Sequence, residues 1–403
     1  MVGRLYRLGM HDATTFGAVI LLASAALVIS LGTSKLSERF AIPVAAPFLV
    51  LAAIASDIFP RLSSSIGTVE RVSTVALVVI LFDGGLAIGW KRFRVSAAPI
   101  ATLGVIGTFA TAGGIAVVAH WVIGFSWISS GLIGAAVAPT DPAVMFSVLG
   151  NREIEGRTGT ILQGESGAND PVGIALMIGM LELATHPGSS FWVVIRTFSM
   201  QMVVGLAIGV VGGIVLGQTM RRVSLPSAGL YSLRTLAAAG VIYGVATVAH
   251  GSGFLAVFVA GLLVGDVQAP FKEEIETFHD ALSSLAEFVV FLVLGLTISL
   301  SAMDVGVWAD GLLLAAILAF VVRPVACWPL LIPFHLRKGE QAFVLWGGLK
   351  GAVPILLAAF AVARGVADAD RIYELVFVVV LASVLVQGTT IAAAARRLGV
   401  EMR

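Results

Sequence analysis

The sequence predicts an all-α polytopic membrane protein of about thirteen transmembrane helices, two of which are interrupted near mid-membrane. Three observations predict this class. The 403 residues are 58% hydrophobic and only 12% charged, whereas soluble domains carry about 25% charged residues. Apolar runs near the ~20 residues that a helix needs to cross a bilayer recur along the chain. Motifs that contain proline, glycine and polar residues break two of these runs.

The candidate spans follow one another closely, and we expect a single transmembrane domain over residues 1–403 with no soluble regulatory domain. The first span is interpreted as a retained helix because no A-x-A-like cleavage site follows it. The boundary between the eighth and ninth spans, at His250–Gly253, is the least defined. The spans are approximately 14–32, 42–59, 72–89, 97–119, 127–149, 158–183, 192–217, 231–250, 252–267, 281–300, 310–332, 341–363 and 372–395.

The distribution of basic residues over the loops predicts the orientation. Loops after odd-numbered spans, together with the C-terminus, carry fifteen lysines and arginines, and the opposite side carries six. The positive-inside rule therefore predicts an N-terminus outside and a C-terminus in the cytoplasm. The expected location is a multi-pass integral protein of the bacterial inner membrane.

Composition and missing motifs exclude several classes of protein. A net charge of +1 gives no reason to expect nucleic-acid binding. The single cysteine, Cys327, cannot form an internal disulfide. The chain has no G-x-x-x-x-G-K-[ST] loop, no H-E-x-x-H motif and no TVGYG-type filter. We therefore expect no cofactor.

Two spans carry helix breakers beside ionisable residues. GAAVAPTDPAVM places Thr140 and Asp141 between two prolines, and GGLKGAVP surrounds Lys350 with glycines and a proline. Proline removes a backbone donor, so both helices are expected to open at mid-membrane. By the predicted topology they run in opposite directions. Two such broken helices indicate an inverted-repeat transporter with its binding site where they cross.

The stretch LQGESGANDPVG supplies polar side chains from the intervening span. Ser166 and Asp170 are four residues apart and share one helix face, whereas Glu165 and Asn169 share the adjacent face. A hard monovalent cation prefers oxygen ligands. The predicted ligands are Asp170, Asp141, Ser166, Thr140 and freed carbonyl groups.

A buried charge is stable inside a membrane only when it is paired, so Glu165 needs a cationic partner. Arg323, in the middle of the eleventh span, is the best candidate. We predict a structural Glu165–Arg323 ion pair, with Asn169 hydrogen-bonded to it. Lys350 has two alternative roles: it neutralises the empty site, or it holds the broken helix to a neighbouring carboxylate.

Other polar or small residues within spans allow more than one interpretation. Asp83, in VVILFDGGLAIGW, is a residue of a cytoplasmic funnel, a part of proton delivery or a solvated helix end. Glu287 precedes an apolar run and receives no assigned role. Gly205, Gly209, Gly213 and Gly217 recur at every fourth position, which suits close helix packing within the chain or, alternatively, a dimer contact.

Four motifs in order along the chain resemble those of the monovalent cation–proton antiporters, in particular the NhaP-type branch. They are ILFDGGL, PTDP, GESGANDPVG and GGLKGAVPI. The resemblance covers nearly the whole chain and implies a thirteen-helix, NhaA-like antiporter fold. It further implies a homodimer with elevator-like alternating access. The core would comprise approximately 97–183 and 310–395, and the dimerisation part approximately 14–89 and 192–300.

The resemblance also implies roles for individual residues. Asp170 matches the aspartate that binds the ion and carries the proton, and Asn169 matches the asparagine of electroneutral members. Thr140 and Asp141 match the broken-helix pair, and Glu165 matches the glutamate paired with an arginine of the eleventh span. Two residues depart from the pattern: Lys350 stands where arginine is common, and Asp83 where glutamate is frequent.

The expected function is secondary active exchange of Na⁺ or K⁺ for H⁺, with both ions competing for Asp170. Asn169, in place of a second aspartate, predicts one proton per cation and no net charge movement. One alternative is a sodium-coupled carrier of organic anions on the same architecture. Another is an intramembrane hydrolase that uses Ser166 or the pair Asp141 and Asp170. The expected partners are the transported ions, the lipid bilayer and a second copy of the chain.

Overall fold

The computed structural model describes residues 45–59, 65–141, 156–186 and 188–402, together with the isolated positions 17, 20, 21, 24, 25, 27, 28, 145, 149 and 154. The seven isolated positions between 17 and 28 are helical. Most of the first predicted span, 14–32, lies outside the described residues. So does most of the second half of the span predicted at 127–149.

The described part of the chain is helical nearly throughout, which confirms the all-α fold class. Its helices are α1 (Ala45–Ile58), α2 (Ile66–Val95), α3 (Ala97–Ile123), α4 (Trp127–Val137), α5 (Gly156–Thr185), α6 (Trp192–Arg222), α7 (Ala228–Val248), α8 (Gly253–Gly265), α9 (Lys272–Gly295), α10 (Val305–Phe334), α11 (Lys338–Trp346), α12 (Ala352–Ala363) and α13 (Ala369–Arg397). Seven of the described helices are long and apolar enough to cross a membrane: α2, α3, α6, α7, α9, α10 and α13.

Helix α5 has 30 residues but is not one of these seven, because its centre carries the polar stretch around Asp170. It runs without interruption through Pro171, which is buried inside it. The doubtful boundary between the eighth and ninth predicted spans is a real break: α7 ends at Val248, and Ser252 caps α8 by accepting from the amide of Leu255.

The two motifs with helix breakers do interrupt their helices. Helix α4 ends at Val137, and residues 139–141 are not helical. Helices α11 and α12 are separated by residues 347–351. The two unwound segments meet, because the amide of Asp141 donates to the carbonyl oxygen of Leu349 at 2.8 Å. Each segment therefore supplies a partner for backbone groups that the membrane interior cannot hydrate.

The described helices pack in two groups. Helix α2 packs against α8 and α9, and α8 also packs against α6 and α7. Helices α3, α4 and α5 pack together. Helix α13 packs against both α10 and α12. The groups meet where α2 contacts α5 and α12, where α9 contacts α12 and where α5 contacts α6.

The glycine stripe of α6 is used for packing within the chain. A Cβ atom at Gly205 would lie 2.6 Å from the carbonyl oxygen of Ser252, and one at Gly209 would lie 2.7 Å from that of Ala256. The stripe thus allows the backbones of α6 and α8 to come into contact. Of the two interpretations from sequence, intramolecular packing is the one that the structure shows.

Candidate cation site

A cavity of about 490 Å³, here called the central cavity, lies between the two groups of helices. Its walls come from α2, α5, α8, α9, the unwound segment after α4 and the first turn of α12. The side chains of Asp141, Ser166 and Asp170 line it, as three of the four predicted cation ligands. Thr140 is not a lining residue.

Asp170 lies at the middle of α5, and only 6% of its surface is exposed. Its Oδ1 atom is buried and has no hydrogen-bond partner among the described residues. A buried carboxylate oxygen without a donor carries a large desolvation cost, more than the ~1–3 kcal/mol of a neutral group. A proton or a cation that binds to this atom removes that cost.

The structure corrects the predicted partner of Asn169. Its side chain contacts Thr140 rather than the Glu165–Arg323 pair: Nδ2 donates to Thr140 Oγ1 at 2.7 Å, and Oδ1 accepts from the amide of Thr140 at 3.3 Å. Both residues are buried. Asn169 therefore attaches α5 to the unwound segment after α4 and holds that segment beside Asp170.

Arg323 and Glu165 lie together in the interior, each 2% exposed. Arg323 Nη2 is 2.9 Å from Glu165 Oε1 and 3.2 Å from Oε2. The same guanidinium donates to the carbonyl oxygens of Val344 and Leu345, at 3.2 and 3.0 Å. These carbonyls belong to the last turn of α11, which has no following helical donors and carries the negative end of the helix dipole.

Gly348 is required beside this arginine, because a Cβ atom there would overlap Arg323 Nε. The unwound segment thus passes directly over the guanidinium. Arg323 consequently links three elements, α5, α10 and α11, at the point where the second broken helix opens.

Lys350 fulfils the corresponding role at the end of α4. Its Nζ atom donates to the carbonyl oxygens of Ala138 and Pro139, both at 2.9 Å. Lys350 is only 1% exposed. Its ammonium group therefore neutralises the negative end of the first half-helix. The expectation that it holds the broken helix to a carboxylate is replaced by these two carbonyl contacts.

A hydrogen-bond chain from α13 supports the second unwound segment. Ser383 Oγ accepts from the amide of Lys350 at 2.8 Å and donates to Gln387 Oε1 at 2.7 Å. Gln387 Nε2 donates to the carbonyl of Trp346 at 3.2 Å. Residues 383–388 form a π-helical turn, a feature frequent at functional sites. Sequence reasoning missed both side chains.

Gly351 and Asp141 are in close contact at the crossing. A Cβ atom at Gly351 would overlap Asp141 Oδ2, so only glycine fits at this position. The carboxylate of Asp141 is thereby held between the two unwound segments and the central cavity.

Asp83 lies at the junction of two cavities. It lines the central cavity and also a second cavity of about 540 Å³, here called the vestibule. Arg92, Asp266, Glu276 and Asp280 also line the vestibule. This acidic lining agrees with a funnel role for Asp83 rather than an isolated, solvated helix end.

One face of α9 contributes polar residues that sequence reasoning did not assign to the site. Asp280, Ser283, Ser284 and Glu287 all line the central cavity. Their spacing of three, four and seven residues is that of a single helix face. This periodicity was visible in the sequence, but nothing there indicated that the face turns toward Asp170.

The chain is similar to known cation–proton antiporters. The family model described as "Sodium/hydrogen exchanger, transmembrane" matches residues 19–397. The chain is 34% identical over 393 residues to the K⁺/H⁺ antiporter NhaP of Alkalimonas amylolytica, covering 95% of this chain and 67% of that protein. It is 33% identical over 398 residues to the K⁺/H⁺ antiporter NhaP2 of Shewanella oneidensis, covering 97% of this chain and 69% of that one.

The fold matches that of a solved structure. The sodium proton antiporter MjNhaP1 from Methanocaldococcus jannaschii, determined at pH 8, superposes with a TM-score of 0.79 at 20% sequence identity. The match covers 96% of this chain and 100% of that one. With the family model and the identity to the NhaP proteins, this shows that the chain belongs to the sodium/hydrogen exchanger family of transmembrane cation–proton antiporters.

Proposed function

We propose that this protein exchanges Na⁺ or K⁺ for H⁺ across the membrane, with the two ions competing for Asp170. One observation carries the proposal: Asp170 Oδ1 is buried in the central cavity without a hydrogen-bond partner among the described residues. Asp141 and Ser166 line the same cavity and provide further oxygen ligands. The ligands are the hard oxygen atoms that a monovalent cation prefers.

Competition for one carboxylate is sufficient to couple the two fluxes. Asp170 is neutral when it holds a proton and is neutralised when it holds a cation. An unoccupied carboxylate would have to cross the membrane interior as a bare charge, which is costly. The loaded forms therefore cross, the empty form does not, and each cation is exchanged for protons.

The moving part in this proposal is the group of α3–α5 with α10–α13, and the scaffold is α1–α2 with α6–α9. The central cavity lies between them, so a relative displacement exposes Asp170 to one side and then to the other. The crossing of the two unwound segments travels as a unit, because Arg323 and Lys350 hold it together. We further propose that the scaffold forms a homodimer, as the resemblance to the antiporter family implies.

The proposed stoichiometry is one proton per cation. Glu165 is paired with Arg323, and Lys350 contacts carbonyl groups. Asn169 is neutral and bonded to Thr140. Glu165 is therefore compensated by Arg323, Asn169 carries no charge, and Asp170 is the carboxylate to which we assign the exchange of ions.

K⁺ is the cation to examine first, since the two NhaP relatives described above carry that ion in their names. The expected orientation has the N-terminus outside and the C-terminus in the cytoplasm of a bacterial inner membrane. The two alternative functions lack support. An organic anion would need a free cationic group, and Arg323 and Lys350 are both engaged; a hydrolase does not belong to this family.

The experiment that tests the proposal uses purified protein in proteoliposomes with an internal pH-sensitive dye. An imposed pH gradient should dissipate on addition of K⁺ or Na⁺, with Li⁺ as a third ion, and choline should have no effect. Asp170→Asn should abolish the response while the protein still elutes as a folded species. Cation-dependent proton flux through Asp170→Asn would eliminate Asp170 as the shared site.

A further inference from the structure

Glu287 is a carboxylate inside a membrane helix that the proposed exchange does not yet use. It lies on α9 in the wall of the central cavity. Its Oε1 atom is buried and has no hydrogen-bond partner among the described residues. Asp170, on the other group of helices, lines the same cavity, and its Oδ1 atom is likewise buried without a hydrogen-bond partner among the described residues. Two buried carboxylate oxygens in the walls of one cavity thus lack hydrogen-bond donors among the described residues.

The wall of the central cavity is strongly acidic. Five carboxylates line the cavity: Asp83, Asp141, Asp170, Asp280 and Glu287. Among its described lining residues there is no lysine, arginine or histidine. Of the two buried cations nearby, Arg323 is paired with Glu165, and Lys350 donates to two carbonyl groups. A lining with five carboxylates and no basic residue favours the binding of cations or protons inside the cavity.

We propose that Glu287 is a second carboxylate ligand of the monovalent cation bound at Asp170. This inference rests on the proposed function, since it assumes that Asp170 binds the cation. Asp170 and Ser166 supply ligands from α5, and Glu287 supplies one from α9. The hydroxyl groups of Ser283 and Ser284, on the same face of α9, line the path toward Asp83 and the vestibule.

The position of Glu287 makes this ligand specific to one side of the membrane. Helix α9 packs with α2, in the group proposed as scaffold, whereas Asp170 belongs to the moving group. When the groups shift, Asp170 leaves the cavity and Glu287 stays. Glu287 therefore strengthens cation binding only from the side where the vestibule lies. The basic loop around Arg92 makes that side the cytoplasmic one.

The test is the kinetics of exchange for Glu287→Gln, with Glu273→Gln as the matched control. Glu273 lies on the same helix, is exposed and does not line either cavity. Proteoliposomes of known orientation allow the cation to be added to either face. Glu287→Gln should raise the apparent KM for the cation about tenfold from the vestibule side, equivalent to ~1.4 kcal/mol, with kcat within about twofold. KM from the opposite side and all parameters of Glu273→Gln should match the wild type.

The outcomes distinguish a failure of the proposed role of Glu287 from a failure of the proposed cation–proton exchange. An unchanged KM from both sides overturns the role of Glu287 and leaves exchange at Asp170 intact. An equal rise from both sides also overturns it, because a general structural effect has no side preference. If Glu287→Gln does not fold, Glu287→Ser is measured against the same criteria. If the wild type exchanges no cation at all, it is the proposed function that fails.

Discussion

Replacing Arg323 by methionine should destabilise the protein severely, by an amount that can be worked out from its contacts. The guanidinium is 2% exposed and lies 2.9 Å from Glu165 Oε1. Its removal leaves an uncompensated buried carboxylate, at a cost of about 3–5 kcal/mol. It also removes a donor from the carbonyls of Val344 and Leu345, at ~1–3 kcal/mol each. The expected loss is therefore on the order of 5 kcal/mol or more.

A double variant separates the two contributions. Glu165→Gln/Arg323→Met removes the charge but leaves the carbonyls of α11 without the arginine, so it should be about 3–5 kcal/mol more stable than Arg323→Met alone. The measurement is the free energy of unfolding in mixed detergent micelles, supported by the thermal midpoint. Arg337→Met is the control, since Arg337 also pairs with carboxylates but its side chain is 59% exposed. Its unfolding should be close to that of the wild type.

The reasoning would be refuted if Arg323→Met unfolded like the wild type, or if the double variant were no more stable than the single one. The first result would mean that the ion pair contributes nothing to the fold. The second would mean that the carbonyl contacts, and not the charge of Glu165, determine the loss. Because a typical protein is stable by only ~5–15 kcal/mol, Arg323→Met should also give a low yield of folded protein.

Two further predictions concern the crossing of the unwound segments. Gly351→Ala should abolish exchange and lower the thermal midpoint, since its Cβ would overlap Asp141 Oδ2 and overpacking costs about 1–3 kcal/mol; Gly240→Ala, in α7 with no atom within 4 Å of the added Cβ, should leave exchange unchanged. Asn169→Asp places a second carboxylate beside Asp170 and should make exchange respond to a K⁺/valinomycin membrane potential, to which the wild type is indifferent. A variant as insensitive as the wild type would show that position 169 does not set the stoichiometry.

Local rules were sufficient for most of the secondary structure. Membrane helices satisfy their own backbone groups, so an apolar run of adequate length can be interpreted residue by residue. Pro139, Gly348 and Gly351 marked the two breaks for the same reason, because they remove a donor or permit an unwound backbone. The predicted spans from 42–59 onward therefore correspond to helices in the described residues; the span at 341–363 is a pair of half-helices, and that at 127–149 is described as a continuous helix only up to Val137.

The partners of polar side chains were harder to predict. Helical spacing correctly separated the faces of α5 that carry Asp170 and Glu165. It did not show that Asn169 contacts Thr140, because that contact depends on how the unwound segment after α4 approaches α5. Neither of the two roles considered for Lys350 included its contacts with the carbonyls of Ala138 and Pro139, since these free carbonyls exist as a group only once α4 has ended.

The sequence by itself determined that this is a polytopic membrane protein with two broken helices and a buried carboxylate at their crossing. These features follow from local chemistry, because in lipid a backbone group must be hydrogen-bonded within the protein and a charge must be paired or functional. Only the tertiary structure decided which charges are compensated and which face a cavity. Glu287 and Asp170 line one cavity through the packing of α9 against α2 and α12. Long-range packing of this kind depends on side-chain shapes that no local pattern encodes.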